Sequence, residues 1–496
     1  MHIENSTFVS LSELAKITSE RDKLATERDE LKRQLAELKR MIFGTKSERF
    51  IPVDKTQLLL FEELIKKEEA LEKHTIIYQR DKKKLEKEKP VRTAIPSHFP
   101  RVEEVIEPKN IPVGAVKIGQ EVTELLEIKP LTVFVRRIVR PKYALPNQQG
   151  IIIGELPSLP IPKGNASASL LAFILISKFV DHLPLYRLLQ IFKRQDLNIS
   201  KSTIGGWVAK TAILLQPLYD SFKEKFLEDA DYIQADESPI KVQDRDKKKA
   251  LHQGYMWVYR NPENKLILFD YNKGRSKKVP EEFFEDFTGT LQSDGYKAYH
   301  NLTTKGDISL LGCMAHARRY FEKALDNDPK RADHILLLIQ KLYRIERTLK
   351  ERNASTELIK RCRMRYALSV LNELELYLIT EKANVLPKSS IGIAINYTLN
   401  IYQNLKQYIK DGRFEIDNNN IENAIRPLAI GRKNYLFAGS HESAQNIAMF
   451  YSFFATCKTL NINPAEWLTD VINRIPEHKA NRLFELLPQN WEKQNT

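Results

Sequence analysis

The sequence is poor in cysteine and has no long apolar run. Its 496 residues include three cysteines, which lie far apart and form no CxxC pair: Cys313, Cys362 and Cys457. This excludes a disulfide scaffold and offers no zinc-ligand pattern. The longest apolar stretch, 170–180, contains a serine and a lysine and is well short of the ~20 residues that a membrane helix needs. The N-terminus lacks the layout of a signal peptide. We therefore expect a cytoplasmic protein without a membrane partner.

Positive charge exceeds negative charge along the chain. Lysine and arginine number 78 against 64 acidic residues, which gives a formal net charge of +14. A surplus of this size suits a polyanionic partner, either nucleic acid or an acidic membrane surface. Nucleic acid is favoured, because the sequence offers no membrane helix. The alternative is an ordinary protein with a basic surface. Hydrophobic residues make up 42% of the chain, which is enough for several folded domains and too much for a disordered protein.

The N-terminal segment carries a heptad repeat. Apolar residues recur every seven positions among charged and amide side chains, at Ile17, Leu24, Leu31 and Leu38. This spacing predicts a coiled coil over 1–50 through which copies of the chain form a homo-oligomer. A single amphipathic helix packed on its own protein is the alternative. Residues 51–100 have the composition of a charged linker, and 101–165 that of a small β-rich module containing Arg136 and Arg137.

Residues 166–228 have the pattern of helices. An amphipathic helix near 185–192 is followed by a break at 196–200 and by a second helix that Lys201 opens. Two helices joined by a short turn are typical of a helix-turn-helix, whose second helix enters the major groove of DNA. Adjacent glycines at 205–206 are unfavourable in a recognition helix. A plain helical packing unit is therefore the alternative.

From residue 229 onward the pattern changes to short strands. Helices are expected over 280–287 and from His316, and the expected strands are 232–235, 255–259, 266–271, 289–292 and 308–314. Three antiparallel strands followed by two that return through crossovers form the order of a ribonuclease-H-like core. In that order the first and fourth strands are neighbours. Asp236 and Asp294, which follow those strands, are therefore expected to face each other.

The stretch 329–399 is mostly helical in pattern and exceeds what a simple core needs. We read it as an insertion within a core domain spanning 229–458, which a helical tail follows at 459–496. The expected fold class is α/β. It consists of a ribonuclease-H-like mixed five-stranded core with a helical insertion, preceded by an N-terminal coiled coil and a helical DNA-binding region.

A third carboxylate follows the insertion. Asp417 or Asn418 is a good N-cap, so a helix is expected to begin there and to carry Glu422 near its start. Two strand carboxylates and one helix carboxylate suit two Mg²⁺ or Mn²⁺ ions, the pair that promotes phosphodiester cleavage. The alternatives are a surface pair between Glu422 and Arg426, and turn or capping roles for the two aspartates.

Four motifs stand in order along the chain. They are QADESP (234–239), QSDGYKAY (292–299), CMAHARRYF (313–321) and EIDNNNIENAIRPLAIGRKNYLFAGS (415–440). Together they resemble the transposases of insertion-sequence family sixty-six, a bacterial group with a DDE-type catalytic core, and the likeness covers nearly the whole chain. The resemblance implies that Asp236, Asp294 and Glu422 are catalytic and hold two divalent metal ions, Mg²⁺ or Mn²⁺.

Basic side chains around this site are candidates for DNA contacts. His316 lies near the expected metal site, where it would contact the scissile phosphate or transfer a proton; a structural histidine is the alternative. An exposed, solvated face is the alternative for the other basic residues. The further candidates are Arg318, Arg319, Arg426, Arg432 and Lys433, together with Lys201, Arg136 and Arg137 in the preceding modules.

One departure from the family pattern concerns zinc. Relatives usually carry a cysteine-rich zinc-binding segment in the region that matches 100–150, whereas no cysteine precedes Cys313 here. We therefore expect no zinc in this chain, because the thiolate ligands are missing. The β-rich module is expected to depend on strand pairing and an apolar core.

The leading hypothesis is a DNA transposase that cleaves and joins strands at the ends of an insertion sequence. Its partners would be the terminal inverted repeats and target DNA in the bacterial nucleoid, and accessory proteins of the same element are further candidates. The alternative is a non-catalytic DNA-binding protein, a repurposed or decayed transposase, that dimerises through its coiled coil. A coiled-coil scaffold would account for 11–42 alone.

Overall fold

The computed structural model describes residues 142–144, 151–153, 158–162, 164–228, 230–244 and 251–493. The predicted coiled coil, the charged linker and most of the β-rich module lie outside these residues. The chain divides into two units, 73–157 and the remainder. In the smaller unit, strands β1 (Lys142–Ala144) and β2 (Ile151–Ile153) pair antiparallel. All other elements belong to the larger unit.

A five-stranded mixed sheet forms the centre of the larger unit. Its strands are β3 (Tyr232–Gln243), β4 (Leu251–Asn261), β5 (Leu266–Asn272), β6 (Gly289–Gln292) and β7 (Ile308–Leu311). Their order is β5-β4-β3-β6-β7; the first three strands are antiparallel, and β6 and β7 run parallel to β3. The prediction of a mixed α/β fold with a five-stranded sheet is confirmed.

Several strand boundaries differ from those predicted, and β4 begins four residues before and ends two residues after the predicted 255–259. Strand β3 was expected to end at Ala235 but continues to Gln243, so Asp236 lies within the strand and not after it. Its pairing with β4 extends past Pro239. Strand β6 pairs with β3 only as far as Gln234, and farther along Ala438 exchanges backbone hydrogen bonds with Lys241 and Gln243. Pro239 lies between these two pairings, where a proline is tolerated. Strand β7 ends at Leu311, three residues earlier than expected.

Three helices precede the sheet. They are α1 (Ala168–Phe179), α2 (Leu185–Lys193) and α3 (Lys201–Phe226). The Ser200 hydroxyl accepts a hydrogen bond from the backbone N–H of Thr203 at 3.0 Å, a typical serine N-cap that fixes the start of α3. The apolar sides of the three helices pack in one core with the sheet.

Short helices connect the parallel strands. Helix α4 (Lys278–Phe283) and helix α5 (Lys297–His300) flank β6, and α6 (Met314–Ala324) follows β7. Helix α4 starts two residues before the predicted segment and ends four residues before its predicted end. Helix α6 begins two residues before His316, which therefore lies in its first turn.

Helices also fill most of the stretch between α6 and Asn400. They are α7 (Pro329–Glu351), α8 (Thr356–Cys362), α9 (Leu368–Lys382), α10 (Ser390–Asn400) and, just beyond, α11 (Tyr402–Lys406). The Asp328 carboxylate accepts from the N–H of Arg331 at 3.2 Å, and Pro329 occupies the first helical position, where proline is favoured. These helices form a second apolar core together with α6, Tyr232 and Leu311.

Three helices close the larger unit: α12 (Asn419–Tyr435), α13 (His441–Thr459) and α14 (Pro464–Arg474). Helix α13 lies along the edge strand β5. The hydroxyls of Ser452 and Thr456 accept hydrogen bonds from the backbone N–H groups of Phe269 and Ile267, at 2.8 and 3.1 Å. An edge strand otherwise leaves such groups unpaired. None of the helices in the described part of the chain combines the length and the apolar composition of a membrane span.

Candidate active site

The register of β3 and β6 brings the two predicted aspartates together. Gln234 of β3 lies opposite Gln292 of β6 in a parallel pair. Asp236 and Asp294 each follow two residues later. Side chains two residues apart on a strand share a face, so Asp236 lies on the same face of the sheet as Gln234. Asp294 follows the end of β6 on the neighbouring strand, near enough for its charge to act on Asp236.

Local hydrogen bonds hold both aspartates in place. The Asp236 carboxylate accepts from the backbone N–H of Glu237 at 2.8 Å, and that of Asp294 accepts from the N–H of Tyr296 at 2.9 Å. Gly295 has a φ of 87°, a left-handed conformation that glycine adopts readily. The hydroxyl of Tyr397 on α10 donates to the Asp294 carbonyl at 2.6 Å. Helix α10 therefore contributes directly to this site.

Negative charge accumulates around Asp236. Burial is the main reason that the pKa of its carboxyl is raised to about 8, and the charges of Glu237, Asp294 and Glu422 raise it further. Glu422 belongs to α12, which is distant in sequence from both aspartates. A set of carboxylates that destabilise each other's charged forms is stabilised when a cation binds among them.

Glu422 is held by an arginine. It lies in the first turn of α12, and the Nη2 atom of Arg319 donates to both of its carboxylate oxygens at 2.6 Å. The Nε2 atom of His316 lies 3.8 Å from the same carboxylate. Both partners belong to α6, so Glu422 is turned toward that helix and the site. The spacing of Glu422 and Arg426 allowed a surface ion pair between them. The carboxylate oxygens of Glu422 bond Arg319 instead.

The donor set fits a hard divalent cation, although the side chains are not arranged as ligands in this conformation. Carboxylate oxygens are the ligands that Mg²⁺ takes in proteins. Among the described residues, however, no three His, Cys, Asp or Glu side chains stand close enough to hold a metal ion. Glu422 engages Arg319 instead. Metal binding by all three carboxylates would therefore require Glu422 to exchange its arginine partner for the cation.

Comparison with known proteins identifies the family. Residues 163–446, more than half of the chain, match the model described as "Transposase IS66 family". The chain belongs to the IS66 transposase family. The resemblance found in the four motifs is thus confirmed. Two further models of the IS66 group match, "Transposase C of IS166 homeodomain" at residues 30–103 and "IS66 C-terminal element" at 452–489.

Similar proteins in Sinorhizobium fredii (strain NBRC 101917 / NGR234) extend over most of the IS66-type chain. The protein y4jD is 31% identical over 421 residues, which cover 80% of this chain and 81% of the relative. The protein y4qI is 30% identical over 424 residues, which cover 81% of this chain and 77% of the relative. Both carry the description "Uncharacterized protein", so they support the family and not an activity.

The homeodomain match bears on the partner of this IS66 family member. A homeodomain is a three-helix unit that reads DNA, so the match at 30–103 supports DNA as the partner. It lies outside the described residues and before the segment where a helix-turn-helix was predicted. In that segment, α2 and α3 are joined by a short turn in which Asp196 has a φ of 58°. Whether these helices also contact DNA stays a prediction.

The basic residues predicted to contact DNA differ in their surroundings. Arg318 is buried and pairs with Glu322 at 2.9 Å, and its contact with DNA stays a prediction. Arg432 donates to the Ser238 hydroxyl at 2.8 Å, next to the site. Arg136 and Arg137 lie outside the described residues, whereas the exposed members of the set are Lys201, Arg426 and Lys433.

His316 has the environment of a neutral imidazole. Burial is the main cause that lowers its pKa, and the charge of Arg319 lowers it further, while Asp294 and Glu422 act in the opposite direction. Its Nδ1 atom is buried and has no hydrogen-bond partner among the described residues. Arg319 Nη1 donates to the Nε2 atom at 3.2 Å, so the neutral ring carries its proton on Nδ1, and a further proton would be taken up at Nε2.

Two residues at the site were missed by sequence reasoning. The Glu237 side chain is 2% exposed and forms an ion pair with Arg275. Burial raises the pKa of Glu237, and the bond to Arg275 opposes that shift. The guanidinium of Arg275 also stacks 3.7 Å from the ring centre of Tyr296. The position of Glu237 directly after Asp236 in the QADESP motif was the one available signal, and it did not reveal the distant arginine.

Proposed function

We propose that the chain is a DDE-type DNA transposase that cleaves and joins strands at the ends of an insertion sequence. Asp236, Asp294 and Glu422 are its catalytic residues in this proposal. The observation that carries it is the pairing of Gln234 with Gln292. That register brings Asp236, within β3, close to Asp294, which lies just past the end of β6. Burial raises the pKa of Asp236, and the charges of Glu237, Asp294 and Glu422 raise it further.

The sheet topology supports a ribonuclease-H-like core. The strand order β5-β4-β3-β6-β7 has an antiparallel half and a parallel half that meet at β3 and β6. This is the order expected of that fold from the sequence. The helices α7 to α10 would then be an insertion within the core, since they lie between β7 and α12 in the chain.

The chemistry assigned to the site depends on carboxylate oxygens. The three side chains would hold two Mg²⁺ or Mn²⁺ ions, which supply an activated oxygen nucleophile and neutralise charge at phosphorus. Arg319 retains Glu422 beside the aspartates when the cation is absent. His316, with its lowered pKa, would accept or return a proton near the scissile phosphate.

No covalent protein–DNA intermediate is part of the proposal. The nearest thiol, that of Cys313, is buried, and its pKa is raised to about 12, so it is not a thiolate at neutral pH. Burial likewise raises the pKa of the Tyr299 hydroxyl well above its ordinary value. In this proposal the nucleophiles are water and the 3′-hydroxyl of DNA.

The partners in this proposal are DNA and further copies of the chain. The basic net charge and the homeodomain match support binding to terminal inverted repeats and target DNA. A coiled coil over 1–50 would pair two chains, and small proteins of the same element would assist them. The second candidate is a non-catalytic DNA-binding protein; the observation in its favour is that Glu422 is occupied by Arg319.

Cleavage of a plasmid carrying the element's terminal repeats tests the proposal. Wild type with Mg²⁺ or Mn²⁺ should nick at the element ends, as should Asp333→Asn, an exposed control on α7. Asp236→Asn and Glu422→Gln should lose more activity than the roughly 10–100-fold that loss of an outer-shell partner costs. Cleavage that survives in Asp236→Asn would reject the catalytic assignment. Binding without cleavage in every variant, even with the accessory proteins added, would favour the non-catalytic candidate.

A further inference from the structure

A buried polar cluster lies directly behind the aspartates. It consists of Tyr232, Gln234, Arg260, Gln292 and Glu415, and we call it the glutamine network. The side chains of Gln234 and Gln292 have no exposed surface. Polar groups in such a position destabilise a protein unless they form hydrogen bonds. Here the glutamine amides do so across five different segments of the chain, since Gln292 Nε2 also donates to the Gly312 carbonyl at 3.2 Å.

The first set of bonds joins the two strands that carry the aspartates. The Gln292 Oε1 atom accepts from the Tyr232 hydroxyl at 2.5 Å and from Gln234 Nε2 at 2.7 Å. These bonds link β3 to β6 through side chains, next to the last backbone pair between the strands. Beyond this point the two described strands have no backbone pairing that holds Asp236 and Asp294 at a fixed separation.

The second set of bonds attaches the segment that leads into α12. Glu415 accepts from Gln234 Nε2 at 2.9 Å through its side chain, and from Gln292 Nε2 at 2.8 Å through its backbone carbonyl. Arg260 of β4 donates to Gln234 Oε1 at 2.6 Å and to Glu415 Oε1 at 3.1 Å. The segment that precedes Glu422 is thereby tied to both aspartate strands.

Asn418 adds a separate attachment. It is the N-cap residue of α12, but its side chain does not cap the helix. Its Nδ2 atom instead donates to the carbonyl of Ala235 at 3.0 Å, the residue before Asp236. The start of α12 is therefore fixed against β3 at two places, through Glu415 and through Asn418.

We propose that the glutamine network positions Asp236, Asp294 and Glu422 as one metal-binding set. The inference rests on the proposed function. Gln234 and Gln292 each precede a catalytic aspartate by two residues. A shift of either glutamine is therefore passed to the neighbouring carboxylate. A ligand set must be held to within about 0.5 Å by surrounding packing and hydrogen bonds to bind its ion well. The network residues are positioning residues and do not touch the metal or DNA.

Mn²⁺ binding to the full chain tests the inference, with free Mn²⁺ followed by electron paramagnetic resonance. Gln292→Met retains side-chain length and removes the amide. Arg260→Met removes the guanidinium at the part-exposed rim and is the milder change. Thr456→Val is the matched control, because its buried hydroxyl makes two hydrogen bonds to β5 at the far side of the sheet. Thermal unfolding of each metal-free variant reports its stability separately.

Both network variants should bind Mn²⁺ at least about tenfold more weakly than wild type. Loss of a residue that supports a metal ligand typically costs about 10–100-fold in affinity. Thr456→Val should lose thermal stability and keep wild-type affinity. The inference is overturned when Gln292→Met and Arg260→Met retain wild-type affinity, or when Thr456→Val weakens binding as much as they do. A wild-type chain whose Mn²⁺ binding does not depend on Asp236 would reject the proposed function itself, and the inference with it.

Discussion

The acid–base state of Asp236 connects the structure of the site to its chemistry. Burial raises the pKa of this carboxyl to about 8, and three neighbouring carboxylates add to the shift. The metal-free protein therefore holds a proton on Asp236 near neutral pH. A cation that binds there must displace that proton, so apparent metal affinity should increase as pH rises toward 8.

The same pKa predicts a pH-dependent effect of Asp236→Asn on stability. An unfolded aspartate has a pKa of about 3.9, so between about pH 4 and pH 8 the folded wild type binds a proton that the unfolded chain lacks. Its stability therefore falls as pH rises through this window. The amide that replaces the carboxyl does not titrate, so near pH 8 the free energy of unfolding of the variant should exceed that of wild type by more than about 1 kcal/mol. Urea unfolding in EDTA at pH 5 and pH 8 measures the difference. If the difference in free energy of unfolding between Asp236→Asn and wild type does not grow from pH 5 to pH 8, the raised pKa of Asp236 is contradicted.

Arg319 is expected to compete with the metal ion for Glu422. Its guanidinium bonds both carboxylate oxygens, and the pair is partly exposed, where such pairs contribute about 0.2–1 kcal/mol. Arg319→Gln should therefore strengthen Mn²⁺ binding by up to about fivefold in the absence of DNA. Calorimetric titration measures this change. Arg474→Gln, which breaks a similar pair with Asp470 far from the site, should bind Mn²⁺ as wild type does; weaker binding by Arg319→Gln would contradict competition.

The acidic residues were accessible to sequence reasoning, and their partners were not. Asp236, Asp294 and Glu422 stand in recognisable motifs at ordered positions. The pairing of Arg319 with Glu422 joins residues 103 positions apart and depends on how α6 packs beside α12. Arg426, four residues from Glu422 on the same helix, was the partner that local spacing suggested. Local rules describe one helix, whereas this contact is made between two.

At the scale of single elements, the edge strand β5 shows how a helix replaces a missing strand. Ser452 and Thr456 are one helical turn apart on α13, so their hydroxyls face the same side. The Ser452 hydroxyl accepts from the Phe269 N–H, and its single proton lies between the carbonyls of Ala448 at 2.8 Å and Phe269 at 3.3 Å. The Thr456 hydroxyl accepts from the Ile267 N–H and donates to the Ile267 carbonyl at 3.2 Å. The open edge of β5 is thereby paired in its middle.

Loss of these hydroxyls should destabilise the sheet. Thr456→Val leaves the backbone N–H and carbonyl of Ile267 buried without that partner, which costs about 1–3 kcal/mol. Urea unfolding of Thr456→Val should show this loss. Thr380→Val, which removes an exposed hydroxyl bonded within its own helix, should change the free energy of unfolding by less than about 0.5 kcal/mol. Equal effects of the two substitutions would show that the edge contact contributes nothing specific.

Element types were easier to predict than element ends. Strand β6 has the predicted bounds, because Gly289 and the residues after Gln292 mark both ends. Strand β3 is longer than predicted, because its continuation past Ala235 depends on antiparallel pairing with β4 as far as Gln243. The helix that carries Glu422 was located to within two residues by its Asp-Asn cap sequence. The prediction that the Asp417 or Asn418 side chain caps that helix was half right: Asp417 accepts from the Asn419 N–H at 3.1 Å, while Asn418 bonds to β3.

At the scale of the whole molecule, charge and family membership point to the same partner. The net charge of +14 and the IS66 family matches both favour DNA. The mixed α/β fold was predicted from the alternation of strand and helix patterns. The self-association predicted from the heptad lies outside the described residues and stays a prediction, as does the role of the helices near Lys201.

DNA binding should depend strongly on salt and not on the catalytic carboxylates. Neutralising phosphates releases counterions, and six to ten such contacts lower affinity by about a thousandfold or more between 50 and 200 mM salt. Fluorescence anisotropy with duplex DNA in EDTA should show this decline equally for wild type and Asp236→Asn. Affinity that is insensitive to salt would argue against a basic DNA-binding surface.

The central claim is that Asp236, Asp294 and Glu422 together bind the catalytic metal ions, and metal rescue of cysteine variants tests it most directly. A thiolate is a poor ligand for Mg²⁺ and a better one for the softer Mn²⁺. Asp236→Cys, Asp294→Cys and Glu422→Cys should each fail to cleave terminal-repeat DNA in Mg²⁺ and regain part of the wild-type rate in Mn²⁺, while Asp333→Cys cleaves in both. Cysteine variants that cleave normally in Mg²⁺, or that Mn²⁺ does not restore although wild type is active with both ions, would contradict the account.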